Sequence, residues 1–395
     1  MHLLWFSFDH VRLFKDGLFR IDFFASDKVP ASDESAIELS RPFYVNSVIS
    51  LAGINASGKT TALKLIRLGI SVLNRDSLNG ITLPKRIADQ FDGKTTFRAV
   101  GCEGDRLMLV ESILDFGDPV EDATSSGVLL FEDEAIWDLP IRGVTKAMVG
   151  DWELLIGKAS LAHSRSTEIE RLGRLLPPTI GITGLYVPTG FLNDAIVAYE
   201  GGVRLSKGFD GLDEVLRVFD SSIEHLEVVD EGRAFQLVFR GREPLLLSRQ
   251  GLEEVLSSGT VRGLALVQAA LAALKTGKYL LVDELENHLN RQLVNVVMDL
   301  FVSRETNPMG ATLVFTTHYP QLLDHIHRKD CVFFLVRDAE GYTEMAKYSD
   351  RVKRIENKKS EVFASNYVKG TAPRYLDIAK LRKIAYEVAR SWVDE

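Results

Sequence analysis

Apolar and polar positions alternate over residues 3–8 and 18–23, which predicts two antiparallel strands joined through Phe14-Lys15-Asp16-Gly17. Residues 27–40 are polar and predict a loop. A β-branched, largely apolar run at 44–52 then predicts a strand, and the apolar spacing over 61–68 predicts a helix reaching about Asn74. Strand-like runs at 95–100, 106–116 and 128–139, separated by glycine and acidic turns, suggest an antiparallel layer. The stretch 152–176 reads as helix and stops at Pro177-Pro178, which cannot continue one. No heptad is sustained between 143 and 225, so a long coiled-coil arm is not expected there.

Alternation resumes at 223–229 and 234–239. The pattern then changes. Residues 279–282, 312–315 and 332–336 are short continuous apolar runs, as strands buried on both faces require. Helical segments at 260–274 and 290–303 lie among them, and this alternation predicts a parallel α/β sheet. From 351 the chain is charged, then helical over 376–393. Four regions follow: a first lobe over 1–142, a mostly helical insertion over 143–225, a second lobe over 226–350, and a helical tail over 351–395.

Composition narrows the class. With 395 residues, 46% of them hydrophobic and 26% charged, the chain is an ordinary globular one with a sizeable core. Its net charge of −8 argues against a surface coated for non-specific nucleic-acid binding, while leaving a local basic groove open. The two cysteines, Cys102 and Cys331, form no C-x-x-C pair, which points to a reducing compartment and no zinc site. No stretch approaches the roughly 18 apolar residues of a membrane span, and the first ten residues lack the features of a signal peptide. A soluble cytoplasmic protein without a membrane partner is the expectation.

The chemistry begins at residues 53–60, Gly-Ile-Asn-Ala-Ser-Gly-Lys-Thr, which satisfy G-x-x-x-x-G-K-[ST] between a predicted strand and a predicted helix. Small residues let consecutive backbone N–H groups converge on phosphate oxygens, and the helix N-terminus adds its dipole. Lys59 would bring a charge to the β- and γ-phosphates, and Thr60 a hydroxyl to Mg²⁺. The strand at Tyr279 ends in Asp283-Glu284, a Walker B arrangement. Asp283 would hold Mg²⁺, and Glu284 would orient the attacking water. Upstream, Leu256-Ser257-Ser258-Gly259-Thr260 opens a helix, which is either an anion site or a simple serine cap. His318 follows the strand at Thr312, at the end where open α/β sheets bind ligands.

The order of these four pieces resembles that of the ABC-class ATPases, over roughly residues 1–75 and 245–345. The segment Glu286-Asn287-His288-Leu289-Asn290 resembles that class's D-loop, whereas Ser258 and Thr260 depart from the commonest signature. The resemblance implies an ABC-type P-loop NTPase core, with a mixed or parallel sheet and an antiparallel N-terminal layer. It implies ATP and Mg²⁺ as ligands. Gly53, Asn55, Ala56, Ser57, Gly58, Lys59, Thr60 and Thr61 would cradle the nucleotide. Ser257, Ser258 and Gly259 of a second copy would close on it, in a head-to-tail homodimer or higher oligomer. Lys59, Glu284 and His318 would be catalytic. Thr60, Asp283 and Gln90 would serve the metal, Gln90 being the candidate for the glutamine that the family places between its lobes.

The separation of Lys59 from Ser257 is long for a transporter subunit, and the stretch between them is unlike the coiled-coil excursion of SMC proteins. The chain is most similar to stand-alone bacterial ATPases of the RecF-like and OLD-like group, often found in phage-defence or abortive-infection modules. The residues that carry this are the loop from Asn55 to Thr60, Ser257-Ser258-Gly259-Thr260, Asp283 to Leu289, Phe315-Thr316-Thr317-His318, and residues 367–375, Tyr-Val-Lys-Gly-Thr-Ala-Pro-Arg-Tyr. The tail shows no acidic cluster of a nuclease site, so any cleaving or toxic activity is expected on a separate effector protein. The alternatives are a RecF-like DNA-binding repair ATPase, for which Arg351, Lys353, Arg354, Lys358 and Lys359 are the one dense basic run, a transporter's ATP-binding subunit, and an ATP-binding scaffold that does not hydrolyse.

Overall fold

A computed structural model describes residues 1–74, 85–116, 129–186, 196–198, 212–230, 233–287, 289–353, 357–372 and 375–391. In chain order the strands are β1 (His2–Phe8), β2 (Phe19–Asp22), β3 (Ala36–Ser40), β4 (Phe43–Asn46), β5 (Val48–Ala52), β6 (Thr95–Glu103), β7 (Arg106–Phe116), β8 (Leu129–Pro140) and β9 (Ser160–Ser164). They continue with β10 (Ile196–Ala198), β11 (Ile223–Val229), β12 (Ala234–Phe239), β13 (Leu245–Ser248), β14 (Tyr279–Val282), β15 (Thr312–Thr317), β16 (Val332–Arg337) and β17 (Thr343–Lys347).

Two six-stranded sheets carry the main core. The first is antiparallel, in the order β2-β1-β6-β7-β8-β9. The second runs β10-β14-β15-β5-β16-β17, parallel except for β17. The continuous apolar runs are β14, β15 and β16 of the second sheet, and their apolar residues are buried throughout. Of the alternating runs, 3–8 and 18–23 lie in the first sheet, and 223–229 and 234–239 form β11 and β12 of a separate three-stranded sheet. The mixed α/β core expected from the pattern is therefore present, antiparallel N-terminal layer included.

The helix Lys59–Val72 lies between the sheets. Its Gly69 sits so close to Phe6 of β1 that a Cβ there would meet the ring at 2.5 Å. Phe6, Phe8, Phe19, Phe23 and Phe97 pack edge-on and tilted around this contact. A smaller second core lies beneath the three-stranded sheet β11-β12-β13 and holds Leu216, Leu226, Phe235, Leu237 and Leu252. The helix Ser257–Thr276 bridges the two cores: Val261 and Leu264 belong to the small one, Leu266, Ala270 and Leu274 to the large one.

Two local expectations are corrected. The polar stretch 27–40 is not all loop, because β3 forms at its end and pairs with β4. The helix expected over 152–176 is broken: Trp152–Ile156 ends at Gly157, β9 joins the edge of β8, and a second helix, Arg165–Leu172, begins at the Ser164 cap. The break is held by a buried ion pair, Arg165 to Glu134 at 2.6 Å, with Arg165 also donating to the carbonyls of Pro177 and Ile180. Within 143–225, moreover, β9 and β10 each extend one of the main sheets. Residues 187–195 and 199–211 of that region lie outside the described residues. The expected helix 376–393 is Tyr375–Ser391, and Trp392 and Val393 lie outside the described residues.

Candidate functional site

The phosphate-loop motif connects β5 to the helix Lys59–Val72 at the carboxyl edge of the parallel strands. Its backbone is left-handed at Ala56 (φ 60°) and Gly58 (φ 99°). A Cβ on Gly53 would come within 2.4 Å of Ser57 Oγ and 2.6 Å of the Leu335 carbonyl, so only glycine fits. The turn is braced from β17: the Thr343 hydroxyl donates to the Ser57 carbonyl (3.0 Å), and the Thr343 N–H donates to the Leu13 carbonyl (2.8 Å).

Lys59 is buried, and its ammonium donates to the carbonyls of Gly53 (2.9 Å) and Ile54 (3.0 Å). Burial lowers its pKa from the ordinary lysine value, while Glu284, Asp283 and Glu286 pull the other way. The Thr60 hydroxyl donates to Asp283 Oδ2 at 2.8 Å, across 223 positions of sequence. Folding thus joins the two halves of the motif set in one contact.

Asn55, Ala56, Ser57, Gly58, Lys59, Thr60 and Thr61 line a cleft of about 460 Å³, together with Leu13, Gln90, Glu284 and Arg337. Gln90 is held at its backbone, where its N–H donates to Ile87 and its carbonyl accepts from Arg12. The metal expectation has a sound chemical basis. The Thr60 hydroxyl and the Asp283 carboxylate are hard oxygen donors in direct contact, as Mg²⁺ prefers. Among the described residues no group of three or more His, Cys, Asp or Glu side chains gathers for a metal. A divalent ion here would lean on one carboxylate, one hydroxyl and the phosphates of its ligand, the usual habit of Mg²⁺.

At the end of β14, Glu284 takes a left-handed backbone (φ 49°) and faces the cleft. Its carboxylate accepts from the Asn287 side chain. His318, at the end of β15, has its Nδ1 3.9 Å from Glu284 Oε1 and 3.0 Å from Glu286 Oε1. The phosphate loop, Asp283, Glu284 and His318 therefore converge. Sequence reading missed Leu13, Arg337, Thr316 and Glu286 as cleft or supporting residues. No motif marks the first two, which arrive through β16 and the hairpin after β1. Thr316 and Glu286 stand inside recognised segments, but only the sheet register shows what they touch.

The Ser257-Ser258-Gly259 turn opens the helix Ser257–Thr276. The side chains of Ser257 and Ser258 lie outside the described residues, as does His288. Gly259 is exposed and is not among the residues lining the cleft, and the flanking Leu256 and Val261 are buried in the second core. Asn290 caps the helix Arg291–Val302, its side chain accepting from the Leu293 N–H. The basic run is largely engaged locally: Arg351 pairs with Glu344, Lys353 bonds the Ser349 carbonyl, and Lys359 bonds the Ile326 carbonyl. Arg354, Pro373 and Arg374 lie outside the described residues. No single described helix is long and apolar enough to cross a membrane.

Comparison with known proteins adds the following. The family described as "AAA domain, putative AbiEii toxin, Type IV TA system" matches residues 200–324, a span that holds the Ser257 turn, Asp283, Glu284 and His318. No curated protein matches the chain. Among solved structures, one titled "Crystal structure of the SmcHead bound to the C-winged helix domain of ScpA" aligns over 88% of this chain and 97% of its own, with 11% identity and a TM-score of 0.43. With a phosphate loop joined to an acidic strand end and an AAA-domain match over residues 200–324, the chain is an ATP-binding and hydrolysing P-loop protein with ABC-like motif order.

Proposed function

We propose that two copies of the chain bind head to tail and enclose two ATP molecules. In this reading Ser257, Ser258 and Gly259 of one copy close on the γ-phosphate held by Lys59 of the other. The observation that supports it is the position of the helix Ser257–Thr276. Its first turn is flanked by residues of the second core, while its own chain's cleft is lined from the main one. An anion-binding turn set apart from the phosphate loop of its own chain suits a ligand held by a neighbour.

Within that dimer, Lys59 neutralises the phosphates, and Thr60 and Asp283 hold Mg²⁺, which supplies charge stabilisation when bound. Glu284 orients the attacking water, His318 contacts the transferring phosphoryl group, and Gln90 reports the state of the cleft to the neighbouring lobe. The cycle of closing and opening would control a separate effector protein, such as a nuclease, in defence against phage. The toxin and toxin–antitoxin wording of the matching family favours this setting over transport or repair.

The test uses Glu284→Gln with ATP and Mg²⁺. The variant is expected to bind ATP as wild type does and to accumulate a dimer in sedimentation, with hydrolysis slowed about 10²-fold or more. Isolating it from its host should retain a soluble partner protein. Hydrolysis at the wild-type rate would sink the role of Glu284. Recovery of DNA alone, lost at high salt, would favour the repair reading, because phosphate contacts carry that salt dependence.

A further inference from the structure

Two ties cross from the end of β14 to the end of β15, and neither belongs to the residues assigned above to nucleotide or metal. Thr316 is fully buried; its hydroxyl donates to Asp283 Oδ1 at 2.5 Å and accepts from the Glu284 N–H at 2.7 Å. Glu286, whose side chain is 5% exposed, accepts from the His318 N–H at 2.8 Å through the same oxygen that stands 3.0 Å from His318 Nδ1. We propose that Thr316 and Glu286 are positioning residues, a cross-strand latch that holds Asp283, Glu284 and His318 in one fixed arrangement. This inference rests on the ATPase reading of the site.

The geometry gives each tie a task. The Asp283 carboxylate is fixed from both sides: Oδ2 takes the Thr60 hydroxyl, and Oδ1 takes Thr316. Without Thr316 the carboxylate loses the hydrogen bond that fixes Oδ1. Glu284 is a non-glycine residue in the left-handed region, a conformation that persists only where its surroundings hold it. Thr316 holds its N–H, and the Asn287 N–H holds its carbonyl. Glu286 makes the second point. Its Oε2 is buried with no hydrogen-bond partner among the described residues, an arrangement that costs stability. A carboxylate kept at such a cost is explained by what its other oxygen does, which is to anchor the backbone of His318. The imidazole is not aligned for a hydrogen bond to it, so the anchor acts through the main chain.

The test compares Thr316→Val, which keeps shape and loses the hydroxyl, with Thr316→Ser, and Glu286→Ala with Glu286→Gln. Three quantities are measured: kcat and KM, the melting temperature, and the Mg²⁺ concentration needed for tight equilibrium binding of a fluorescent ATP analogue. Thr316→Val and Glu286→Ala are expected to lower kcat roughly ten- to hundredfold through misplacement of reacting groups. At saturating Mg²⁺ their KM should stay within about twofold, because the phosphate loop itself is unchanged. Thr316→Val should also raise the Mg²⁺ requirement. Thr316→Ser should recover most of kcat while melting lower for its lost methyl, and Glu286→Gln should recover it as a neutral acceptor. Wild-type turnover in Thr316→Val and Glu286→Ala overturns the latch. So does Thr316→Ser that is no better than Thr316→Val, or Glu286→Gln that is no better than Glu286→Ala. If the wild-type protein hydrolyses no ATP, the ATPase reading fails, and the latch is then judged on the Mg²⁺ dependence of nucleotide binding alone.

Discussion

At the residue scale the site depends on a few positions that tolerate no substitute. Lys59 is held against the loop carbonyls and has the carboxylates of Asp283 and Glu284 near it. Lys59→Ala removes the one cation on the phosphate loop itself, and nucleotide binding is expected to disappear in a fluorescence titration while the melting temperature of the unliganded protein changes little. Gly58 fails differently. It sits at φ 99°, and a Cβ would come within 2.9 Å of Thr343 Oγ1. Gly58→Ala is expected to cost roughly 1–3 kcal/mol in thermal or urea unfolding, from backbone strain alone, and to weaken ATP binding. If that variant melts with wild type and binds ATP normally, the loop adapts more freely than its bracing by Thr343 implies.

At the scale of elements, the helix Ser257–Thr276 is the part that links chemistry to packing. Its first half is anchored in the small core by Val261 and Leu264, and its second half lies under the parallel sheet. Leu264→Ala leaves a cavity in the small core and is expected to destabilise it by about 2–5 kcal/mol. Because the phosphate loop belongs to the main core, ATP binding to a single chain should survive while hydrolysis falls. Equal loss of both would mean that the two cores unfold as one. The break in the expected helix 152–176 belongs to this scale as well. Apolar spacing favoured one helix, but the edge of β8 and the buried Glu134 offered competing partners, and tertiary contacts won.

For the whole molecule, the decisive question is what covers the cleft. The net charge is −8, and among the described residues of the basic run Arg351, Lys353 and Lys359 are engaged locally. A second copy is the occupant proposed here. Ser257→Arg is expected to leave ATP binding to the monomer intact and to abolish both ATP-dependent dimerisation and turnover. Normal dimerisation of that variant in sedimentation would refute the sandwich.

The sequence by itself determined the phosphate loop, the acidic strand end and the strand-end histidine, because each is a local pattern whose residue types follow from phosphate and metal chemistry. It also marked the strands of the parallel sheet, since continuous apolar runs answer to burial on two faces, whereas β1, read as alternating, is buried on both faces by tertiary packing. Tertiary structure alone decided what touches what. Thr60 meets Asp283 only because β5 and β14 share a sheet with β15 between them. Thr316 and Glu286 gained their partners from that same register. Arg337 entered the cleft from the end of β16 and Leu13 from the connection after β1, neither with a motif of its own. Such contacts join positions tens to hundreds of residues apart, and local periodicity does not encode them.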